Sequence, residues 1–254
     1  MKSGKKIITT IAIITIGLFV GCKKNSTTTP SSQPTNSTNP IVIPIQTTAQ
    51  APVSMAGAAN LAVLAGSGIT NTGATNITGD MGLSPGTSVG GFPPGILVGT
   101  LHVNDAIATQ AKLDLTAAYN DAAGRTSTDV VLLSGNIGGL TLTPGLYKST
   151  SSLDLSSGDL TFDAKGNANA VFIIQIASAL TVTSGRNVYL TNGASASNIF
   201  WQVGSSATFG TTSVFKGTIM AMQSISFNTG ATLNGRALAR SGAVTMSGNT
   251  FVKQ

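Results

Sequence analysis

Apolar and polar residues alternate in short stretches along the C-terminal half of the chain, and five of those stretches superimpose. They are Leu153-Asp-Leu-Ser-Ser-Gly-Asp-Leu160, Leu180-Thr-Val-Thr-Ser-Gly-Arg-Asn-Val188, Ala207-Thr-Phe-Gly-Thr-Thr-Ser-Val214, Ile225-Ser-Phe-Asn-Thr-Gly-Ala-Thr-Leu233 and Val244-Thr-Met-Ser-Gly-Asn-Thr-Phe251. A sixth, weaker copy is Ile69-Thr-Asn-Thr-Gly-Ala-Thr-Asn-Ile77. The shared form is apolar-x-apolar, a glycine turn, then a small polar residue followed by an apolar one. A period of two sends successive side chains to opposite sides of a strand. Val182, Val188 and Leu190, or Ile225, Phe227 and Leu233, therefore point inward and leave Ser, Thr and Asn outside. The glycines at 158, 185, 210, 230 and 248 close up from a separation of 27 residues to one of 18 toward the C-terminus. A repeat of that length with glycine at the corners is what one coil of a β-solenoid with three short faces requires. The runs Ala170-Val-Phe-Ile-Ile-Gln-Ile176 and Asn198-Ile-Phe-Trp-Gln-Val203 predict strands buried on both sides.

One segment follows a different period. From Asn104 to Arg125, Ala or apolar residues fall at 106, 107, 108, 111, 113, 115, 117, 118 and 122, with Asn104 or Asp105 as N-cap and Gly124 near the end. This predicts a helix over about 104–125, whose Ala-rich, Leu-containing stripe suits packing along one side of the solenoid.

The N-terminal quarter has neither period. Residues 1–22 combine a basic start (Lys2, Lys5, Lys6), an apolar run from Ile7 to Val20 and Gly21-Cys22. That is a secretory leader, with an apolar run short of the about 20 residues a spanning helix needs. Phe19-Val-Gly-Cys22 resembles the bacterial lipobox, with Phe in place of the more usual Leu. It implies that Cys22, the sole cysteine, is diacylated and becomes the new N-terminus, anchoring an exported protein to the outer membrane or cell surface. Residues 23–53, rich in Ser, Thr, Pro, Asn and Gln, predict a disordered tether. The folded body is expected over 54–254.

Charge changes the picture by its scarcity. Charged residues are 9% of the chain, against roughly a quarter in ordinary soluble proteins. The apparent basicity, 14 Lys and Arg against 8 acidic residues, comes largely from Lys2, Lys5, Lys6, Lys23 and Lys24, so the body is nearly neutral. A nucleic-acid partner is excluded by the lack of a basic stripe with interleaved aromatics. With no Glu, no Cys beyond residue 22 and His102 as the sole histidine, there is no catalytic triad, zinc set or Glu-based acid–base pair. Asp154, Asp159 and Asp163 lie close enough in sequence to suggest calcium, but turn and cap roles account for them more simply.

What is plentiful is small hydroxyls at regular positions. Around the turns, Thr72 and Thr75, Ser184 and Asn187, Thr229 and Thr232, and Ser247 and Thr250 repeat a [Ser/Thr]-Gly-x-[Thr/Asn] pattern, with Thr212 and Ser157 as partial matches. Such residues also serve simply as the solvated exterior of any solenoid.

The stretches Leu64-Ala-Gly-Ser-Gly-Ile-Thr-Asn-Thr-Gly73, Gly79-Asp-Met-Gly-Leu-Ser-Pro-Gly86, Leu140-Thr-Leu-Thr-Pro-Gly-Leu-Tyr147, Val171-Phe-Ile-Ile-Gln175, Phe200-Trp-Gln-Val-Gly-Ser-Ser-Ala-Thr208 and Asn234-Gly-Arg-Ala-Leu-Ala239 each resemble a signature block of the microbial ice-binding proteins with a discontinuous β-helix. The resemblance runs from about Leu61 to Phe251. It implies an all-β dominated, right-handed, discontinuous triangular β-solenoid with one long helix alongside and an N-terminal coil docked beside the C-terminal ones. It also implies adsorption to ice through one flat face whose motif is Thr-Ala/Gly-x-Thr/Asn. Thr229-Gly-Ala-Thr232 and Thr72-Gly-Ala-Thr75 match that motif; Ser184 and Ser247 depart at its first position, and Phe209 departs strongly. Coils stacked at about 4.8 Å come close to oxygen spacings in ice. The expected ice-binding residues are thus Thr72, Thr75, Ser184, Asn187, Thr212, Thr229, Thr232, Ser247 and Thr250, in a monomer that uses no cofactor and no metal and is not an enzyme. The competing reading is an adhesive or structural surface solenoid that binds polysaccharide or cells.

Overall fold

The computed structural model describes residues 43–254. The leader over residues 1–22, the acylation assigned to Cys22 and tether residues 23–42 lie outside the described residues. The remainder is a stack of parallel coils, each contributing one short strand to each of three faces. Face one contains Leu61–Ala65, Asp80–Leu83, Leu101–Val103, Gly145–Ser149, Phe172–Ile176 and Ile199–Val203. Face two is an eight-stranded sheet that runs Ser88–Gly90, Gly68–Thr72, Val244–Ser247, Ile225–Phe227, Ala207–Phe209, Leu180–Val182, Leu153–Leu155 and Gly135–Asn136. Face three carries Ile96–Val98, Asn76–Thr78 and Thr250–Val252 above, and Val188–Thr191, Leu160–Asp163 and Thr141–Leu142 below.

Two longer strands, Val214–Ala221 and Thr232–Ala239, run from face three into face one. They turn the corner at Gly217 and Gly235, which pair with each other and have φ of 109° and 148°. A Cβ on Gly235 would sit 2.0 Å from the Gly217 carbonyl oxygen, so only glycine fits this approach.

The stacking order departs from the chain order, as the resemblance implies. Leu61–Ala65 pairs with Thr232–Ala239, Val63 opposite Ala237 and Leu64 opposite Leu238, so the N-terminal coils sit on the C-terminal end. The helix then carries the chain back to the far end. It spans Ala106–Gly124, close to the expected 104–125, with Asp105 as N-cap accepting from the Ala108 N–H at 2.8 Å. Its 19 residues cover about 28 Å, the height of about six coils.

Alternation holds inside the stack. Ile225, Phe227, Leu233, Val182 and Val188 are buried, and Phe162, Phe172, Trp201, Phe215, Phe209, Phe227 and Phe251 form a continuous aromatic column along the axis. Face one is buried on its outer side too. Ala111, Leu115, Ala118 and Ala122 of the helix lie on Leu64, Ile173, Phe200 and Leu238, and the small alanines let the helix approach closely.

The tether assignment ends too late. Residues 43–53 lie on the body, because their few apolar side chains and polar backbone both find partners there. Ile43 packs against the core and Val53 is buried; the Gln46 Oε1 accepts from Leu146 N–H at 2.8 Å; the Thr48 N–H donates to Asp129 Oδ2 at 2.9 Å.

Candidate functional site

With face one covered by the helix, two faces stand open to solvent, and they differ in texture. On face two the outward residue of each strand lines up in register: Thr70 opposite Thr245, Thr245 opposite Ser226, Ser226 opposite Thr208, Thr208 opposite Thr181, and Thr181 opposite Asp154. The residues just before the first apolar position of these strands are Gly68, Ala243, Ser224, Ser206, Ala179 and Ser152, all small. On the other side runs a second hydroxyl column, Thr72, Ser247, Thr229, Thr211 and Ser184. It is tied by Gly248 N–H to Thr72 O, Gly230 N–H to Ser247 O, Thr212 N–H to Thr229 O and Gly185 N–H to Thr211 O. The Thr229 and Ser247 hydroxyls lie 3.1 Å apart.

Face three is rougher. Its outward positions include Tyr189, Lys216, Val252, Val98 and Ile96 beside Asn187, Thr232 and Thr250. Tyr189 is 50% exposed and Val98 63%, so bulky side chains stand proud of the surface.

The residues expected from the sequence divide between these faces. Ser184, Thr229, Ser247 and Thr72 belong to the second column of face two. Asn187, Thr232 and Thr250 lie across the corner on face three, Thr232 paired with Thr250 and Asn187 bridged to Val214. The four-residue motif wraps an edge: its first residue ends face two, its glycine turns, its third is buried in the copies of Ala231 and Asn249, and its fourth opens face three.

Two of the expected residues are corrected outright. Thr75 is fully buried, its hydroxyl donating to Asn71 Oδ1 at 2.5 Å and accepting from Asn249 N–H at 2.9 Å. The corner after Thr72 holds one extra residue, the exposed Ala74, so Thr75 turns inward and Asn76 takes the outward place opposite Thr250. Thr212 is not in line with Asn187, Thr232 and Thr250; Val214 is, paired with Thr232. Thr212 occupies the corner itself with φ 56°, where the other coils put glycine. Nor does Phe209 interrupt an outer array, since it is buried and stacks on Phe227 with centroids 4.4 Å apart.

The central column of face two, Thr181, Thr208, Ser226, Thr245 and Thr70, is absent from the expected set. Its signal was present as the x of each apolar-x-apolar triplet: Leu180-Thr-Val, Ala207-Thr-Phe, Ile225-Ser-Phe, Val244-Thr-Met and Ile69-Thr-Asn.

Several charged groups away from face two are held by local partners. Arg125 pairs with Asp121 at 2.7 Å, and His102 Nδ1 lies 2.8 Å from Asp105 Oδ2. Asp163 is drawn down to about 2 by the Lys165 ammonium at 2.9 Å, with help from the Asn192 amide. Hydrogen bonds from Ser127 and from the Thr48 and Thr47 N–H groups hold Asp129 well below the usual carboxylate range. Burial brings Lys112 down to about 8 while its ammonium donates to Ala239 O at 2.7 Å. Among the described residues no group of three or more His, Cys, Asp or Glu is placed to hold a metal ion.

Above Asp154, face two presents uncharged hydroxyls that repeat strand on strand, a texture suited to an extended and regular partner rather than to an enclosed small molecule. The chain belongs to the ice-binding-like family, whose model matches residues 63–252. It is 48% identical over 201 residues to the ice-binding protein of Nostoc sp. (strain HG1), covering 78% of this chain and 74% of that one. It is 35% identical to the ice-binding protein of Flavobacterium frigoris (strain PS1), over 96% and 97% of the two chains. Among solved structures, an ice-binding protein from an Antarctic biological consortium superimposes with a TM-score of 0.83 at 72% identity, over 83% of this chain and 95% of that one. An ice-binding protein from the Antarctic ascomycete Antarctomyces psychrotrophicus does so with a TM-score of 0.76 at 41% identity, over 80% and 99%.

Proposed function

We propose that this protein adsorbs to ice through face two and thereby inhibits ice growth or recrystallisation. The observation that carries the reading is the register of Thr70, Thr245, Ser226, Thr208 and Thr181, five outward small side chains stacked strand on strand without an interposed charge. Threonine offers a methyl that does not compete for water and a hydroxyl that holds one. Repeated at about 4.8 Å, such groups order a water layer that merges with the lattice. Each contact is weak and the sum is not. Ser184, Thr211, Thr229, Ser247 and Thr72 extend the array on one side, and Thr232, Thr250 and Asn187 form its rim beyond the corner.

The family is one of ice-binding proteins rather than known enzymes, and we assign no catalysis to this chain. The sole histidine is committed to Asp105 next to the helix N-terminus. Export by a leader over residues 1–22, acylation of Cys22, a bacterial cell-surface location and action as a monomer complete the reading, on the strength of the sequence pattern.

The test is crystal shape and thermal hysteresis in a supercooled drop. Thr208→Tyr places a ring on the open face without touching the core, so its effect on stability stays within about 0.5 kcal/mol. It is expected to keep its melting temperature and lose most hysteresis. Thr232→Tyr, across the corner, loses less, and Lys216→Tyr, Lys165→Tyr, His102→Ala or a chelator changes little. A Thr208→Tyr protein that shapes ice like the wild type moves the site off face two. If the wild type itself leaves crystals unshaped, the adhesive solenoid takes the place of this reading.

A further inference from the structure

The hydroxyl columns of face two stop before the sheet does. One coil below Thr181 the strand Leu153–Leu155 continues in unbroken register, with Leu153 opposite Leu180, Asp154 opposite Thr181 and Leu155 opposite Val182. The backbone there is as regular as in the coils above. The small side chains persist as well: Ser152 stands below Ala179, and Ser156 and Ser157 below Thr183 and Ser184. The single departure is Asp154, at the outward position where the coils above carry threonine or serine. Its side chain is half-buried and takes part in none of the three ion pairs among the described residues. Below it the array has already ended, because the Asn136 side chain is turned onto the backbone, accepting from Ser156 and Ser157 N–H and donating to Ser157 O.

An unpaired carboxylate keeps a tightly held hydration shell with its own geometry, and removing or freezing that shell costs far more than one water-mediated contact returns. We propose that Asp154 sets the lower boundary of the ice-contact area, confining it to the coils of Thr181, Thr208, Ser226, Thr245 and Thr70 although the protein has built one more coil of the same surface. This rests on face two being the ice face. The coil of Asp154 is a latent sixth, withheld by one charge.

The experiment compares Asp154→Thr, Asp154→Asn and Asp154→Lys with the wild type and with Thr208→Tyr, by thermal hysteresis at equal protein concentration, each checked for an unchanged melting temperature. Asp154→Thr lengthens the contact by about a fifth; because contacts along one rigid array act together, hysteresis is expected to rise about 1.5-fold. Asp154→Asn removes the charge without supplying a methyl and gives a smaller rise. Asp154→Lys changes nothing, since that coil is already outside the contact. An Asp154→Thr protein at the wild-type level, or an Asp154→Lys protein that loses activity, overturns the boundary while an inactive Thr208→Tyr leaves face two in place. A fully active Thr208→Tyr removes face two itself.

Discussion

Thr212 stands where neighbouring coils place Gly185 and Gly230, and it adopts the same left-handed backbone, with φ 56° against 71° and 72°. That region costs an L-residue about 1–2 kcal/mol, of which glycine's extra unfolded freedom takes back about 0.5–1. Thr212→Gly is therefore expected to stabilise the fold by about 0.5–1 kcal/mol and raise the melting temperature by about 1–4 °C. Ice shaping should stay unchanged, because the residue lies at the corner and not in a column. Calorimetry decides it: a lower melting temperature for Thr212→Gly would mean that the hydroxyl's bond to Thr211 O, at 2.7 Å, outweighs the strain. This position also explains where sequence reading stopped. A Gly-to-Thr replacement at one corner and the added Ala74 at another shift the apparent motif by single residues, and in a strand a single step exchanges inside for outside. For that reason Thr75 turns inward and Thr212 falls on the corner instead of at the fourth motif position, whereas Thr229 and Ser247, in corners of regular length, stand at the edge of face two.

At the scale of elements, the helix was legible because its period and its N-cap are both local. What ends it is not. The Gln175 side-chain amide, from a face-one strand, donates to Ala122 O at 2.9 Å, Ala123 O at 3.1 Å and Arg125 O at 2.8 Å, capping carbonyls that have no partner within the helix. Nothing in the local sequence announces a cap from 50 residues away. Gln175→Leu keeps the bulk but strands these acceptors, at a cost of about 2 kcal/mol, seen as a fall of about 4–8 °C in melting temperature. Hysteresis measured well below that transition should not move, because face two lies on another side of the stack. An unchanged melting temperature would show that water caps the helix equally well. The strands were legible in the same local sense, as alternation. Period two separates inside from outside but is silent on which of three faces an outward residue joins, and that is why the central column of face two emerged only from the register.

For the whole molecule, the charge pattern divides the chain into a basic N-terminal segment and a nearly neutral body, and the proposed attachment of that body is the prediction that belongs at this scale. Cells grown with labelled palmitate should label the wild-type protein, recovered in the membrane fraction, and a Cys22→Ser chain should be unlabelled and soluble. A labelled, membrane-bound Cys22→Ser protein would sink the lipid anchor. Ile43 lies beside Val131 and Leu132, in the lowest coil.

The discontinuous stacking has a consequence for how such a surface comes into being. Val63 is made long before its partner Ala237. Thr70, at one end of the central column, meets Thr245 only after the intervening helix and lower coils exist. Loop closure over that separation is slow, and it cannot start on a partial chain. A chain interrupted before Thr232–Ala239 would lose its final coils and, with them, the seat for its first ones, so shortening from the C-terminus should remove ice shaping abruptly instead of coil by coil.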